Sequence, residues 1–310
     1  MPTLAYLNGK HLLDTELRLS YADAGFVYGA TVTDFCRTYR LRLFRWADHL
    51  ARLRRDAATC YIPIIQTDAE LTAAAEQLVA THSKGLAETA DLAVITFATP
   101  GPLGYLSGGT MDGPPTLGMH CFPLPKERYR RFFTEGVELE HAGMIGSDWC
   151  LVPLEVKHRS RMGWWMAGKN VEPGRVAMMV DFNGMGADTA IGAVVAVVGE
   201  TLYASPELSV LDSVSLKVIE ELCRELGLEI LRPPSPFARL QWLGKDEELE
   251  AFRGRVTEVM LVGSAFGLAG VKRIHWPGDM LEYRWPGPVT LKLQAAWSRL
   301  VGVEIAGQFG

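Results

Sequence analysis

Long apolar runs are scarce in this chain, and the longest nearly uncharged one, "AIGAVVAVVG" (190–199), is about half of what a helix needs to cross a bilayer. A membrane span is therefore not expected. Cysteine is also sparse: the five residues (36, 60, 121, 150 and 223) are odd in number, widely spaced and without a C-x-x-C pair, so neither a disulfide framework nor a zinc ribbon is indicated. The seven histidines never fall at H-x-x-x-H spacing, which leaves no expected metal site. Extended basic blocks are missing too. Lys+Arg number 31 against 36 Asp+Glu, a net charge of −5, and short clusters such as "RLRR" give nucleic-acid binding little support. No G-x-G-x-x-G, G-x-x-x-x-G-K-[ST] or G-x-S-x-G occurs, which removes the common dinucleotide, P-loop and hydrolase-elbow readings. The opening "MPTLAYLNGK" has no basic segment followed by an apolar core, so a cytoplasmic protein is expected.

What is present describes a globular chain. Over 310 residues, 48% are apolar and 22% charged, enough for two cores and an enclosed pocket. "LAYLNGKHLL" alternates around an Asn-Gly turn and predicts a hairpin. "RWADHLARLRRDAATC" places Trp46, Leu50, Leu53 and Ala57 at helical spacing, and "DAELTAAAEQLVATHS" (68–83) predicts a second helix behind an Asp N-cap. "DLAVITFAT" and "PTLGMHCFPL" read as strands. The first region, 1–122, is thus mixed α+β, and the proline-flanked, charged stretch 123–130 reads as a linker. In 131–310 a helix is expected at "RSRMGWWMAGKN", strands at "RVAMMVDF", "AVVAVV", "LEILR" and "TEVMLVG", an amphipathic helix over 213–227 ended by Gly227, and a last helix opened by Pro288.

Chemistry first suggests itself at "EVKHRSRMGWW" (155–165). A lysine becomes a nucleophile when burial or neighbouring cations leave its amine neutral. Around Lys157, His158, Arg159 and Arg161 supply charge, while "LVPL" and the pair Trp164 and Trp165 could supply dryness. Taken alone, the stretch reads first as a helix-start cation on a solvated face. "LDSVSLKVIEELCREL" places Ser213 and Ser215 where a helix begins, a ready anion site or plain N-capping. "VGSAFGLAG" (262–270) follows a strand with small residues and reads as a turn or as a loop that lets backbone approach a ligand.

In order and spacing, "LNGKHL", "SYADAGFVYGATVTDF", "LFRWADHLARL", "VKHRSRMGWWMA", "DFNGMGADTAIGAVVAV", "VLDSVSLKVIEELCRELGLEI" and "EVMLVGSAFGLAGV" together resemble the class IV aminotransferases, the fold type IV pyridoxal-phosphate enzymes. That group includes branched-chain and D-amino acid aminotransferases and aminodeoxychorismate lyases. The resemblance implies an α+β, two-domain protein, D-amino acid aminotransferase-like, whose C-terminal domain has a β-barrel-like core, with pyridoxal 5'-phosphate in the cleft between domains and a homodimer. It implies transamination between an amino acid and a 2-keto acid, with Lys157 forming the internal aldimine. A lyase reaction, or a non-catalytic binding subunit, are the alternatives it leaves open. By the same resemblance, Arg52 matches the arginine for the cofactor phosphate, Val214, Ser215 and Ser264 match its backbone and hydroxyl donors, and Leu211 matches the residue packed on the ring. Asp188 stands where the family normally has a glutamate facing the pyridine nitrogen; an anion there keeps that nitrogen protonated and the ring an electron sink. A turn aspartate is the plain alternative. Thr33 replaces a frequent bulky side chain and would enlarge or polarise the substrate pocket, and Tyr28 would line it unless it is simply packed inside. Met162 replaces the tyrosine of the branched-chain enzymes, and the arginine several members use for a substrate carboxylate has no counterpart among Thr96 to Gly101.

Overall fold

The computed structural model describes residues 3–87, 89–145, 152–181, 187–232 and 254–309. Leu151, Cys150 and the 182–186 part of the "DFNGMG" segment lie outside them. The chain forms two compact units, Met1–Leu124 with Val156–Arg161, and Pro125–Glu155 with Met162–Gly310.

In the first unit the Asn-Gly pair turns with positive φ at both Asn8 (47°) and Gly9 (88°), the geometry that lets a two-residue hairpin follow strand twist. It joins β1 (Leu4–Leu7) to β2 (Lys10–Leu13). With β3 (Val32–Tyr39), β4 (Arg42–Leu43), β5 (Leu92–Thr99) and β6 (Thr116–Pro123) these make an antiparallel sheet in the order β2-β1-β6-β5-β3-β4. A short helix, α1 (Ala24–Val27), precedes β3. Two longer helices follow β4, α2 (Trp46–Thr59) and α3 (Asp68–His82). The period of 3.6 carries Leu50, Leu53 and Ala57 of α2 into the core, and Leu71, Ala75 and Leu78 do the same for α3. The cap of α3 differs from the expected Asp. Thr67 accepts from Glu70 N while Glu70 Oε2 accepts from Thr67 N, a capping box one residue earlier, and Asp68 instead supplies charge to the first turn.

The second unit starts in the stretch read as a linker. Beyond Pro123 that stretch is not extended: a single 3-10 turn, Lys126–Tyr129, leads directly into α4 (Arg130–Thr134). Tyr129 is buried and meets Phe132 and Phe266 edge to face or tilted, an aromatic cluster that gives those residues a reason to be ordered. Then come β7 (Val137–Ile145), α5 (Met162–Asn170), β8 (Val176–Asp181), β9 (Ala187–Thr189), β10 (Ala193–Val198), β11 (Thr201–Ala204), α6 (Val214–Leu226), β12 (Glu229–Leu231), β13 (Glu258–Gly263), β14 (Gly267–Trp276) and β15 (Asp279–Glu282). Strands β10-β13-β14-β7-β8-β9 pair in that order, and β9 pairs again with β10 through Asp188 and Ala193, so the sheet closes into a six-stranded barrel. Closure removes the open edges a sheet of these apolar strands would otherwise expose. The last described helix, Pro288–Val301, is tied to β13 by the buried Glu258, whose carboxylate accepts from Val289 N (3.0 Å), Thr290 N (2.9 Å) and the Thr290 hydroxyl (2.8 Å). An anion on the free N–H groups of a helix start satisfies both.

A continuous second region over 131–310 has no place for Val156–Arg161, which belongs to the first unit. His158 bridges Val32, flanked by hydrogen bonds from Thr33 N to the Lys157 carbonyl (2.9 Å) and from Arg159 N to the Thr31 carbonyl (2.8 Å). No helix among the described residues is long and apolar enough to cross a membrane.

Candidate active site

Lys157 is half-buried, and its backbone is fixed from both sides. Its carbonyl accepts from Thr33 N, and its N–H donates to Asp56 Oδ2 at 2.8 Å. Asp56 is fully buried on α2, four residues beyond Arg52 and so on the same helix face. Burial pushes the Asp56 carboxyl up, and the Lys157 N–H and the Arg55 guanidinium offset only part of that. The dryness expected from the tryptophans is not what they provide in their own unit: Trp164 packs on the cluster Ala167, Ala177 and Met179, and Trp165 stands exposed beneath the Lys169 ammonium.

Arg52 is 4% exposed and engages Asp34 of β3 with two nitrogens, Nε to Oδ2 at 2.8 Å and Nη2 to Oδ1 at 3.0 Å. His49, one turn earlier, places Nδ1 2.6 Å from the same Asp34 Oδ1. At that distance Nδ1 carries the hydrogen and donates, so the 3.4 Å approach of Arg52 Nη2 to it is a packing contact, not a hydrogen bond. Burial alone would raise the Asp34 carboxyl, but Arg52 and His49 outweigh it and hold the group far below the usual carboxylate range. Burial holds His49 below the usual imidazole range, against the pull of Asp34 and with added repulsion from Arg52 and Lys157. Neither Asp34, His49 nor Asp56 figures in the sequence reading. The one available signal was the i, i+4 spacing of Arg52 and Asp56.

Thr33 is buried and its hydroxyl donates to the Thr96 carbonyl at 2.9 Å. Tyr28 caps α1 and is 65% exposed, its hydroxyl 2.6 Å from that of Tyr105, so interior packing is excluded for it.

The second unit gathers the other predicted residues. Asp188, buried on the strand that closes the barrel, accepts from Thr189 N (2.8 Å) and from Leu211 N (3.3 Å). The half-buried Leu211 stands three residues before α6. Ser213 caps α6, its hydroxyl accepting from Leu216 N. Among the described residues nothing accepts from the N–H of Val214 or Ser215. Ser215, 3% exposed, has its hydroxyl 3.2 Å from that of Ser264, which follows β13. Two hydroxyls beside free N–H groups at the start of a 13-residue helix form a donor set without a protein acceptor. That set fits a phosphate, and the buried Asp188 carboxylate fits a protonated ring nitrogen, so the chemistry of these residues suits pyridoxal phosphate. Met162, exposed, opens α5. Among the described residues no cluster of His, Cys, Asp and Glu suits a metal ion.

Three comparisons place this arrangement. In fold, the branched-chain amino acid aminotransferase of Escherichia coli superposes with a TM-score of 0.76 at 17% identity, covering 100% of this chain and 97% of its own. The branched-chain aminotransferase of Thermoproteus uzoniensis, solved with norvaline, gives 0.73 at 16% identity over 98% and 96%. A T.th. branched-chain amino acid aminotransferase with pyridoxamine 5'-phosphate gives 0.75 at 18% over 97% and 95%. The fold is that of the fold type IV aminotransferases. In sequence, 77 residues are 29% identical to the D-alanine aminotransferase of Staphylococcus haemolyticus; the match spans 25% of this chain and about a quarter, 27%, of that curated relative's length. The family model for amino-transferase class IV matches residues 31–274, from the strand that carries Asp34 to the last barrel strand, and the chain belongs to that family.

Proposed function

We propose that the protein transfers amino groups between an amino acid and a 2-keto acid, with pyridoxal 5'-phosphate as its resident cofactor and Lys157 as the amine that carries it. The observation behind this reading is the fixing of one lysine, by a buried carboxylate on its N–H and a strand on its carbonyl, in a chain of this family. The pyridoxamine phosphate named for the T.th. relative supports the choice of cofactor.

When bound, the cofactor supplies the electron sink that lets an amino acid lose its Cα proton. Once released from the cofactor, the Lys157 amine would take that proton from Cα as a general base and give it up again as a general acid. A pinned backbone narrows the arc its amine sweeps, which is how orientation lowers a barrier. Asp188, whose oxygens meet backbone N–H donors suited to an ionised carboxylate, holds a proton on the ring nitrogen. Ser215, Ser264 and the Val214 and Ser215 N–H groups hold the phosphate, and Leu211 bears on the ring. Arg52 is the weakest fit to the implied set, because Nε and Nη2 are given to Asp34. Thr33 and Tyr28 are proposed to bound the substrate. A homodimer belongs to the same proposal, and the exposed Phe26, Tyr28 and Tyr105 are apolar surface that a second copy would cover.

The test is reduction of the cofactor-loaded protein with borohydride. One equivalent of pyridoxyl group is expected on the peptide that contains Lys157, with loss of the visible absorption band, and none in Lys157→Ala. Attachment elsewhere, or none in the wild type, would overturn the reading. Amino transfer that requires an added keto acid separates a transaminase from a lyase.

A further inference from the structure

Helix α2 turns a stripe of ionisable side chains inward. His49, Arg52 and Asp56 fall at i, i+3 and i+7, on one face of the helix, and all three are buried. Asp56 takes the Lys157 N–H at 2.8 Å, so Arg52 stands about one helical turn from that anchor. From the other side Thr33 N holds the Lys157 carbonyl, and the next residue of β3 is Asp34. The Lys157 backbone is thus fixed one residue from Asp34 and one turn from Arg52, which bind each other through Nε (2.8 Å) and Nη2 (3.0 Å). All of these groups belong to the first compact unit.

The charges on α2 are matched. Arg55 places Nε 3.0 Å and Nη2 2.5 Å from Asp56 Oδ1, as Arg52 is placed on Asp34. The two carboxylates differ as anions. Burial pushes the Asp56 carboxyl up, whereas at Asp34 the same burial is overcome by Arg52 and His49. Asp34 is therefore the fixed negative charge of the cluster. His49 brings none of its own: burial first, then the charges of Arg52 and Lys157, hold its imidazole low against the pull of Asp34. His158, beside Lys157, is held low by burial, then by Arg161 and Lys157, against Asp56. The Lys157 charge thus acts on an imidazole that lies 2.6 Å from Asp34, and such interactions are mutual.

We propose that Asp34 keeps the Lys157 amine a strong base, by cancelling the positive charge that Arg52 would otherwise set beside it. Asp34 is then a positioning residue, acting through charge and touching no reacting atom. The inference rests on the transamination reading only for the use made of that base. Without Asp34 the buried guanidinium would stand uncompensated, and a cation near an amine favours its neutral form. A less basic amine draws a Cα proton more weakly.

The test is competitive labelling of the full chain, freed of cofactor, with trace acetic anhydride across a pH series. Mass spectrometry reads the Lys157 peptide against the exposed Lys10. In Asp34→Asn the labelling midpoint of Lys157 should fall by about one pH unit. The double variant Asp34→Asn with Arg52→Gln, which removes both charges, should restore it. His49→Asn, which keeps a neutral N–H donor for Asp34, should leave it in place. Circular dichroism reports folding. An unmoved midpoint in folded Asp34→Asn, or an equal fall in the double variant or in His49→Asn, would overturn the proposal. If Asp34→Asn does not fold, the His49 imidazole is followed by NMR in wild type and Lys157→Gln. It should titrate at higher pH in the variant, and an identical titration would overturn the proposal. Labelling needs no cofactor, so its outcome and that of the borohydride test are told apart.

Discussion

Asp188 shows what one methylene changes. The short Asp188 carboxylate stays close enough to its own strand to accept from the N–H of the next residue and from Leu211 N. The same two contacts tie the barrel seam to the segment that opens α6, so Asp188 holds the local backbone whatever else it does. Asp188→Asn separates these roles. The amide keeps one acceptor oxygen but turns a donor toward an N–H, which costs about 1–2 kcal/mol in a buried place. If Asp188 also holds a proton on the cofactor nitrogen, amino transfer in the folded variant should fall on the order of 100-fold, with cofactor still bound. A stability loss with unchanged single-turnover transfer would leave only the structural role. The sequence pointed to Asp188 through the resemblance to the family, which normally has a glutamate at that place. It could not tell that both oxygens meet backbone, because Leu211 lies 23 positions away and its N–H points back only once the barrel has closed.

At the scale of elements, α2 and β3 are joined by charge inside the first unit. Asp34, Arg52 and His49 are all buried, and removing one partner of a buried pair typically costs about 3–5 kcal/mol because the other charge is left alone. Asp34→Asn should therefore lower stability by about 3 kcal/mol near neutral pH, measured by denaturant unfolding. The pH dependence has a definite sign. The Asp34 carboxyl is depressed in the folded state, so its contribution is complete above the ordinary carboxylate pKa of about 4 and is lost as pH falls from there toward the folded value. The gap between wild type and variant should stay constant above about pH 5 and close below about pH 4. A gap that does not change between those conditions would mean that Asp34 is not held as an anion by Arg52 and His49. Elements with one clear period were legible in the sequence: the hairpin, α2, α6 with its left-handed Gly227, and the apolar β10 all occur where their patterns put them. Strand β3 was not. Its Thr33, Asp34, Arg37 and Thr38 read as polar, yet all are buried, with Asp34 paired to Arg52 and Arg37 to Asp91. Composition cannot see a polar residue whose partner comes from another part of the chain. Strand β7 was missed for a related reason: both its partners, β14 and β8, run parallel to it, and a parallel pair has no local turn to announce it.

At the scale of the molecule, the chain leaves its first unit at Leu124 and comes back to it for Val156–Arg161 before continuing in the second. No composition shift marks so short a return, so the sequence supports one boundary where the structure has three crossings. The return matters because it carries Lys157 and Arg159, and their backbones are held by first-unit groups: Asp56 and Thr33 for Lys157, Thr31 for Arg159. Segments of one cooperative unit open together, and local openings show as faster amide exchange. The amides of Lys157 and Arg159 should therefore exchange with the protection of β3, and more slowly than the first turn of α5 that follows them in sequence. Asp56→Ala should speed the Lys157 amide on the order of tenfold to a hundredfold, the range for losing a hydrogen bond to a charged group, while the Arg159 amide, bonded to a backbone carbonyl, should change far less. Exchange of Lys157 at the rate of the α5 first turn, or equal acceleration of both amides, would mean that the segment is anchored by its sequence neighbours. In that case the buried carboxylate on α2 would have no part in aiming the lysine.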